Sequence, residues 1–446
     1  MSADSKQPGL RNLSVSRNYI LLLVAIFAAE LGYGIVIPAI QLYAANTLHA
    51  SVGLIGIAIA AFPFTNTFFK IFGGSLADRF GRRLMIVIGL AISTVSPLLM
   101  SLITIPWMVW LYIPIRAMDG TGNSVIWPAA NAMVADMMAR QRRDTALGIL
   151  NLSFAIGTGV GPAIGLYIMD WSGGAKASFI SASIMIGATT LLVLFFMKET
   201  LRRRRKPTES TAPDEVAEAE EEITEKKHPL HDWLTELKTA LGSLVKNKRL
   251  MALSLQGFLN MFIVGINTSV LVLYANNVLG MEKYQTAFGF LFLSIATIAL
   301  VYPAGRFAER LGRKNMMIWG MLLTSAALVM IPFITRAGFY YTMMIMAGVG
   351  VALILPSWMS LSVENIPTKG RATVLGGVGT ITSFGLVMGP LIASFLYEHL
   401  SPVSPFYFAG AIIAANAILI AFVFRDHQEK PQQDKTERKL PYYIDQ

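Results

Sequence analysis

The sequence contains no cysteine and few charged residues, and both shortages exclude classes of protein. Without cysteine there is no disulfide framework, no thiolate metal site and no thiol nucleophile. Charged residues make up 14% of the chain, whereas a soluble domain carries about a quarter. The sequence also lacks a Walker-type phosphate loop and any nucleophile–base pattern. We therefore expect neither an enzyme nor a bound cofactor, and the five histidines form no metal-ligand cluster.

Apolar residues are abundant instead, at 54% of the 446 residues, and they occur in runs of about 20. A helix of that length crosses the hydrocarbon of a bilayer with all its backbone hydrogen bonds satisfied. The runs predict an all-α membrane protein with twelve transmembrane helices. The predicted spans lie near 19–42, 52–72, 84–105, 107–135, 145–170, 178–198, 250–275, 284–304, 315–335, 338–363, 373–397 and 405–424.

The placement of basic residues predicts the orientation in the membrane. Of the 37 Lys and Arg residues, only Lys176, Lys283 and Arg336 fall in the loops on one side of the predicted spans. Because cytoplasmic loops carry the excess of positive charge, both termini are predicted to be cytoplasmic in a multi-pass cell-membrane protein. This placement accounts for the net charge of +10, so we expect no nucleic-acid partner.

One long polar segment divides the spans into six and six. Residues 199–249 begin with a basic run and then turn acidic, a composition that does not form a packed core. The predicted domains are an N-terminal six-helix bundle at 1–198, a cytoplasmic linker at 199–249, a C-terminal six-helix bundle at 250–424 and a cytoplasmic tail at 425–446.

The end of the linker carries an apolar stripe at helical spacing, which predicts an amphipathic helix. Such a helix either lies on the inner membrane surface or packs against the cytoplasmic face of the bundles, and the sequence leaves both open. The stripe consists of Leu230, Trp233, Leu234, Leu237, Leu241, Leu244 and Val245.

The two halves repeat each other in sequence. One match has an offset of 231 residues and another an offset of 228, and two matches at nearly equal offsets predict the internal repeat of a rocking transporter. The first pairs Gly74, Asp78, Arg79, Gly81 and Arg82 with Gly305, Glu309, Arg310, Gly312 and Arg313. The second pairs Arg143, Thr145, Gly148, Gly157, Gly161 and Pro162 with Arg371, Thr373, Gly376, Gly385, Gly389 and Pro390.

The loop between spans 2 and 3 resembles the G-x-L-a-D-R-x-G-R-R motif of the major facilitator superfamily, and the likeness covers essentially the whole chain. The resemblance implies a major facilitator fold of two six-helix bundles with pseudo-twofold symmetry. It also implies a latch that favours the outward-open state, in which Asp78 faces the N-terminus of span 11 and Arg82 pairs with Asp136. Alternatively, Arg79, Arg82 and Arg83 only set the topology, which leaves Asp78 and the glycines unexplained.

Span 5 carries a glycine and proline pattern that resembles the antiporter motif of proton-driven exporters. It consists of Gly148, Gly157, Gly161, Pro162 and Gly165, and Leu166 stands where the family usually has another glycine. Small residues allow close helix approach and proline bends the helix, so this span is a plausible hinge and seal. The alternative is ordinary small-residue packing.

Spans 4 and 1 add charged residues within the apolar runs. Arg116 begins a segment similar to the exporter motif R-x-x-q-G-x-g, whose arginine is tied to proton transfer, but Asp119 replaces the usual glutamine. Span 1 carries Glu30, and its Leu-Gly pair followed by Pro38 resembles the first helix of twelve-span drug:proton antiporters, with Gln41 in place of a second proline.

Glu30 and Asp119 are both expected near the membrane midplane, roughly 15 Å from the edges of their spans. Burial there favours the neutral form of a carboxyl group, while a nearby arginine favours the charged form. We therefore predict that Glu30 and Asp119 carry the coupling proton and that Arg116 tunes them. The alternative is a permanent ion-pair cluster that holds spans 1 and 4 together.

The predicted substrate cavity is lined by polar residues of both halves together with apolar side chains. The candidates are Tyr33, Asn123, Gln256, Asn260 and Asn267. Abundant Met and Phe suit adaptable binding of apolar molecules. The favoured function is proton-coupled export of amphiphilic, drug-like compounds by a monomer in the lipid bilayer. The alternatives are a proton-coupled metabolite carrier, for a sugar for example, a flippase for a lipid-linked molecule, and a transporter-like sensor or assembly factor that moves nothing.

Overall fold

The computed structural model describes residues 17–200, 242, 247–334, 336–366 and 371–425. In this part of the chain, helices are joined by short turns. The N-terminal half contains α1 (Arg17–Asn46), α2 (Val52–Phe80), α3 (Arg82–Leu102), α4 (Tyr112–Asn123), α5 (Ile126–Met137), α6 (Arg140–Ser172) and α7 (Ala175–Phe196). The predicted amphipathic stripe of the linker and the tail after Arg425 lie outside the described residues.

The C-terminal half follows the same plan. Its described helices are α8 (Lys248–Ile266), α9 (Lys283–Leu311), α10 (Arg313–Met330), α11 (Ala337–Asn365), α12 (Arg371–His399) and α13 (Ser404–Val423). After α8 the chain continues through two π-helical segments, Asn267–Leu271 and Tyr274–Val278. Short 3₁₀ segments precede α4 and follow α10.

Span 4 differs from the prediction because it is interrupted at its centre. In the described chain, eleven helical segments are long and apolar enough to cross a membrane, and α4 and α5, with 12 residues each, are too short to be among them. Between them Ser124 and Val125 form a turn, and the Ser124 hydroxyl donates to the carbonyl of Thr121 at 2.6 Å. Serine weakens a helix by such local hydrogen bonds, and glycine weakens it by the freedom of its backbone. Residues of both kinds near this point account for the break.

The repeated glycines bring equivalent helices into close contact in both halves. A Cβ atom on Gly161 of α6 would lie 2.7 Å from the Cα of Gly34 in α1, and one on Gly389 of α12 would lie 2.9 Å from the Cα of Gly265 in α8. Backbones that approach so closely leave room only for glycine. Gly148 differs from the rest of the span 5 pattern, because nothing lies within 4 Å of its Cβ position.

The two matching loops also use glycine in the same way. Gly81 has a φ of 109° and Gly312 a φ of 93°, and each residue separates one helix from the next. Side chains other than glycine are strained in this region. The conformation of the turn therefore accounts for glycine at both positions of the repeat.

The halves contact each other mainly through α2 with α12 and α6 with α9. The charge pattern assigns one end of the bundle to the outside of the membrane, and we call this the outer end. There, the backbone N–H of Gly53 donates to Glu398 Oε2 at 2.6 Å. Closer to the centre, Ser294 Oγ donates to the carbonyl of Gly159 at 2.8 Å. These bonds hold the halves together in the outer part of the molecule.

Gln41 contributes to the same closure. Its side chain is fully buried, and its amide nitrogen donates to the carbonyl of Thr268 at 2.6 Å. Asn277 likewise donates to the side chain of Asn46 at 3.3 Å. The residue that departs from the first-helix pattern of the exporters thus joins α1 to the other half.

Candidate functional site: a buried charge cluster between α1, α2, α3 and α4

A buried ion pair occupies the centre of the N-terminal half. Arg116 is 0% exposed and Asp119 is 6% exposed, and Arg116 Nη1 lies 2.9 Å from Asp119 Oδ2. The helical spacing of three residues places both side chains on one face of α4. Ser93 of α3 donates to the other carboxylate oxygen at 2.8 Å. Both oxygens of Asp119 are therefore hydrogen-bonded.

The guanidinium of Arg116 also packs against two aromatic rings. It lies 4.4 Å from the ring centroid of Phe62 in α2 and 5.3 Å from that of Tyr33 in α1. The two rings contact each other, with centroids 4.7 Å apart. Such cation–π contacts are strong when the cation is desolvated. Arg116 is thus held by one carboxylate and two rings.

Glu30 lies near this pair but has a different hydrogen-bond partner. The hydroxyl of Thr158 in α6 donates to Glu30 Oε2 at 3.1 Å, and Glu30 interacts electrostatically with Asp119 and Lys70. Its side chain is partly exposed, unlike those of Arg116 and Asp119. The structure thus brings all three predicted charges together, with Glu30 as the more accessible carboxylate.

A small pocket borders the cluster. Tyr33, Phe62, Ser93, Asp119 and Asn123 are among its lining residues, and it has room for about one water molecule. Asp119 therefore borders an internal cavity although it is almost completely buried.

The predicted cavity residues of the two halves differ in their placement. Tyr33 and Asn123 line the pocket, as described above, and Asn260 and Asn267 are partly exposed. Gln256 requires a correction: it is 2% exposed and accepts a hydrogen bond from Asn416 of α13. This buried amide pair joins α8 to α13, which explains a polar residue there without any contact with a substrate.

Lys70 is a functional candidate that the sequence reasoning missed. With span 2 predicted to end at 72, this lysine belongs to the inner edge of the membrane, but α2 continues to Phe80. It therefore lies ten residues, roughly 15 Å, before the end of the helix. The spacing of Phe62, Asn66 and Lys70 at intervals of four was the available signal for a shared helix face.

The loop motifs form ion pairs at the inner end in both halves. Arg82 pairs with Asp136 and also lies 3.8 Å from Asp78. Arg313, the equivalent of Arg82, pairs with Glu364 of α11. Glu364 was not among the predicted residues, although the repeat offset of 228 relates it to Asp136.

The other predicted residues of the latch lie around these pairs. Arg79, Glu309 and Arg310 are exposed, and the Arg79 guanidinium lies 5.4 Å from the ring centroid of Phe80. Gly74 has open space at its Cβ position. Residues 367–370, just before α12, lie outside the described part of the chain. The contact of Asp78 with the start of span 11 therefore stays a prediction.

The chain belongs to the Major Facilitator Superfamily. The model of that family matches residues 22–302 and 253–444, so that both halves are covered. The match agrees with the repeated six-span plan and with the loop motif found in both halves.

Named relatives cover nearly the whole chain. It is 26% identical to "Multidrug resistance protein 2" of Bacillus subtilis (strain 168), over 89% of this chain and 92% of the relative. It is 23% identical to "Tetracycline resistance protein, class B" of Escherichia coli, over 86% of this chain and 89% of the relative. Among solved structures, it resembles the nucleoside transporter NupG with a TM-score of 0.66 and 14% identity, over 92% of this chain and 99% of NupG. The structural likeness supports the fold.

Proposed function

We propose that this protein is a proton-coupled exporter of amphiphilic, drug-like molecules. The observation that carries the proposal is the buried Arg116–Asp119 pair, with the more accessible Glu30 beside it. Ionisable groups at this depth are costly and, in transporters, mark proton and substrate pathways. The relatives named for multidrug and tetracycline resistance favour drug-like compounds as the cargo.

In this proposal, Glu30 and Asp119 carry the proton and Arg116 sets how readily Asp119 releases it. A proton on Asp119 would remove the negative partner of a fully buried guanidinium, which then has only the rings of Phe62 and Tyr33. Leaving one member of a buried pair without its partner is strongly unfavourable. Protonation of Asp119 would therefore favour a different arrangement of α1 and α4, and so couple the proton to movement.

Alternating access would come from rocking of the two halves. The bonds of Glu398, Gln41 and Ser294 described above hold the outer end closed, so the described arrangement suits a state open toward the cytoplasm. The pairs Arg82–Asp136 and Arg313–Glu364 each join helices of one half, so they would brace the inner end of each half in this state rather than hold the two halves together. The glycines of α6 and α12, in contact with α1 and α8, would let each half move as one body.

The proposal includes the domain plan and the location. A six-helix bundle at 1–198 and another at 250–424 would be joined by the cytoplasmic linker 199–249 and followed by the cytoplasmic tail 425–446. Both termini would lie in the cytoplasm of a cell that carries the protein, as a monomer, in its cell membrane. The chain would catalyse no chemical reaction.

Transport into inverted membrane vesicles tests this function. A panel of fluorescent dyes and antibiotics is measured with and without an imposed proton gradient, using wild type, Asp119→Asn and Glu30→Gln. We expect accumulation that depends on the gradient in wild type and is lost in both variants. Asp170→Asn is the matched control, because Asp170 is an exposed carboxylate at the end of α6.

Two results would contradict the proposal. Accumulation by wild type that is indifferent to the gradient would exclude proton coupling. Uptake of a sugar or of a lipid-linked molecule, with no uptake of any dye or antibiotic, would favour the metabolite carrier or the flippase instead.

A further inference from the structure

Lys70 belongs to a row of side chains that α2 presents to the charge cluster. Phe62, Asn66 and Lys70 are spaced four residues apart, so they lie one turn apart on one helix face. The ring of Phe62 contacts the guanidinium of Arg116, and Asn66 donates to the side chain of Asn123 at 3.0 Å. Lys70 continues this row by one turn toward the inner end.

The helical spacing places Lys70 near the side of α2 that faces the C-terminal half. Gly56 is tightly packed against Ser394 of α12. Lys70 follows Gly56 by 14 residues, or nearly four helical turns, so both residues lie on nearly the same face of α2. The side chain of Lys70 is exposed, and it interacts electrostatically with Glu30 on α1. Phe62 of the same row contacts Tyr33, which lies one turn after Glu30 in α1, so the row faces the part of α1 that carries Glu30.

The charges of the cluster divide into two pairs of different accessibility. Arg116 and Asp119 are buried and neutralise each other, whereas Glu30 is partly exposed and Lys70 is exposed. The second pair therefore offers one negative and one positive group to a bound molecule. Within the described spans of the C-terminal half, every Asp and Glu residue lies at a helix end or beyond it, so that half adds no acidic group to the middle of the membrane.

We propose that Lys70 and Glu30 form a binding site for amphiphilic zwitterions, in which Lys70 binds a carboxylate and Glu30 an amine of the same cargo molecule. The aromatic body of the cargo would lie against Tyr33. This inference rests on the proposed export function and adds the chemical class of its cargo. A charge-assisted bond to each end of the zwitterion gives the site its specificity.

Electrostatics distinguish this cargo from a simple lipophilic cation. A molecule with only a positive charge gains Glu30 as a partner but lies close to the ammonium of Lys70, and like charges repel. Esterification of the carboxylate turns a zwitterion into such a cation with almost no change in shape. The comparison of a free acid with its ester therefore isolates the contribution of Lys70.

A matched pair of dyes provides the test. The purified full chain in detergent is titrated with a rhodamine that has a free carboxylate and with its methyl ester, and fluorescence polarisation gives both Kd values. We expect Lys70→Gln to raise the ratio of the acid's Kd to the ester's Kd by about tenfold, the effect of one charge-assisted bond. Lys70→Arg should keep the ratio of wild type. Lys176→Gln, on an exposed lysine of α7, is the control.

Each other outcome would overturn the inference. An equal rise in both Kd values would mean that Lys70 only supports the structure of the site. No change in either Kd would mean that its side chain only reaches water at the edge of the membrane. The export function is tested separately in vesicles. It fails if transport of both dyes does not depend on the proton gradient, and this result is independent of the Kd values.

Discussion

The carboxylate of Glu398 caps the first turn of α2 across the boundary between the two halves. Its Oε2 accepts the backbone N–H of Gly53 at 2.6 Å, while Ser51 Oγ accepts the N–H of Leu54 at 3.2 Å in the same turn. The N-terminus of a helix carries a partial positive charge, which a carboxylate stabilises. Because the two partners belong to different halves, this bond requires a closed outer end.

Replacing Glu398 should therefore shift the protein toward the state with an open outer end. Glu398→Gln removes the negative charge and weakens a bond worth about 1.5–3 kcal/mol. The side chains of Asn46 and Asn277 are hydrogen-bonded across the outer end. Because the chain has no cysteine, a variant with Asn46→Cys and Asn277→Cys has a single pair of cysteines that reports on closure. We expect a severalfold lower yield of cross-linking by a short bifunctional reagent.

The control for this measurement is Asp170→Asn in the same two-cysteine background, which should cross-link like the parent. An unchanged yield with Glu398→Gln would show that the capping bond does not contribute to closure.

The buried pair should respond differently to single and double replacements. Asp119→Asn leaves the guanidinium of a residue that is 0% exposed without its carboxylate, which costs about 3–5 kcal/mol in comparable buried pairs. Replacing Arg116 with Gln as well removes the unpaired charge. We therefore expect the double variant to have a higher Tm in detergent than Asp119→Asn alone. This account is wrong if the loss of Tm in the double variant is at least as large as the losses of both single variants added together.

Glu30 is expected to be needed for coupling rather than for folding. Glu30→Gln keeps the size of the side chain and an oxygen that can accept from Thr158, but it has no titratable proton. Exchange of an uncharged dye between equal concentrations, which needs no ionic contact with Glu30, should continue, while accumulation driven by the proton gradient should be lost. Full gradient-driven transport by Glu30→Gln, Asp119→Asn and the variant with both changes would exclude these carboxylates as the proton carriers.

The glycines of α6 should differ in their tolerance of substitution. Gly161→Ala places a Cβ atom 2.7 Å from the backbone of α1, and overpacking of this kind costs about 1–3 kcal/mol. Gly148→Ala is the matched control, because nothing lies within 4 Å of its Cβ position and alanine favours the helix. We expect a lower Tm for Gly161→Ala and an unchanged or slightly higher one for Gly148→Ala. Equal stability of both variants would show that the close approach is not needed.

The sequence alone determined the class of fold, because that information lies along the chain itself. The length and spacing of the apolar runs, the offset between the loop motifs and the position of the basic residues are all local properties. The same reasoning found Glu30, Arg116 and Asp119, since a charge within an apolar run is evident without any knowledge of its neighbours. The interruption of span 4 was less evident, because weak helix formers are frequent in membrane helices.

Only the tertiary structure decided which side chains meet. It assigned Thr158 to Glu30, Ser93 to Asp119 and Asn416 to Gln256, and each partner comes from a different helix. It also showed that α2 continues for ten residues beyond Lys70, whereas span 2 was predicted to end two residues after it. Such contacts depend on the rotation and depth of each helix relative to the others. Those are set by the packing of whole helices, and no pattern along a single helix contains them.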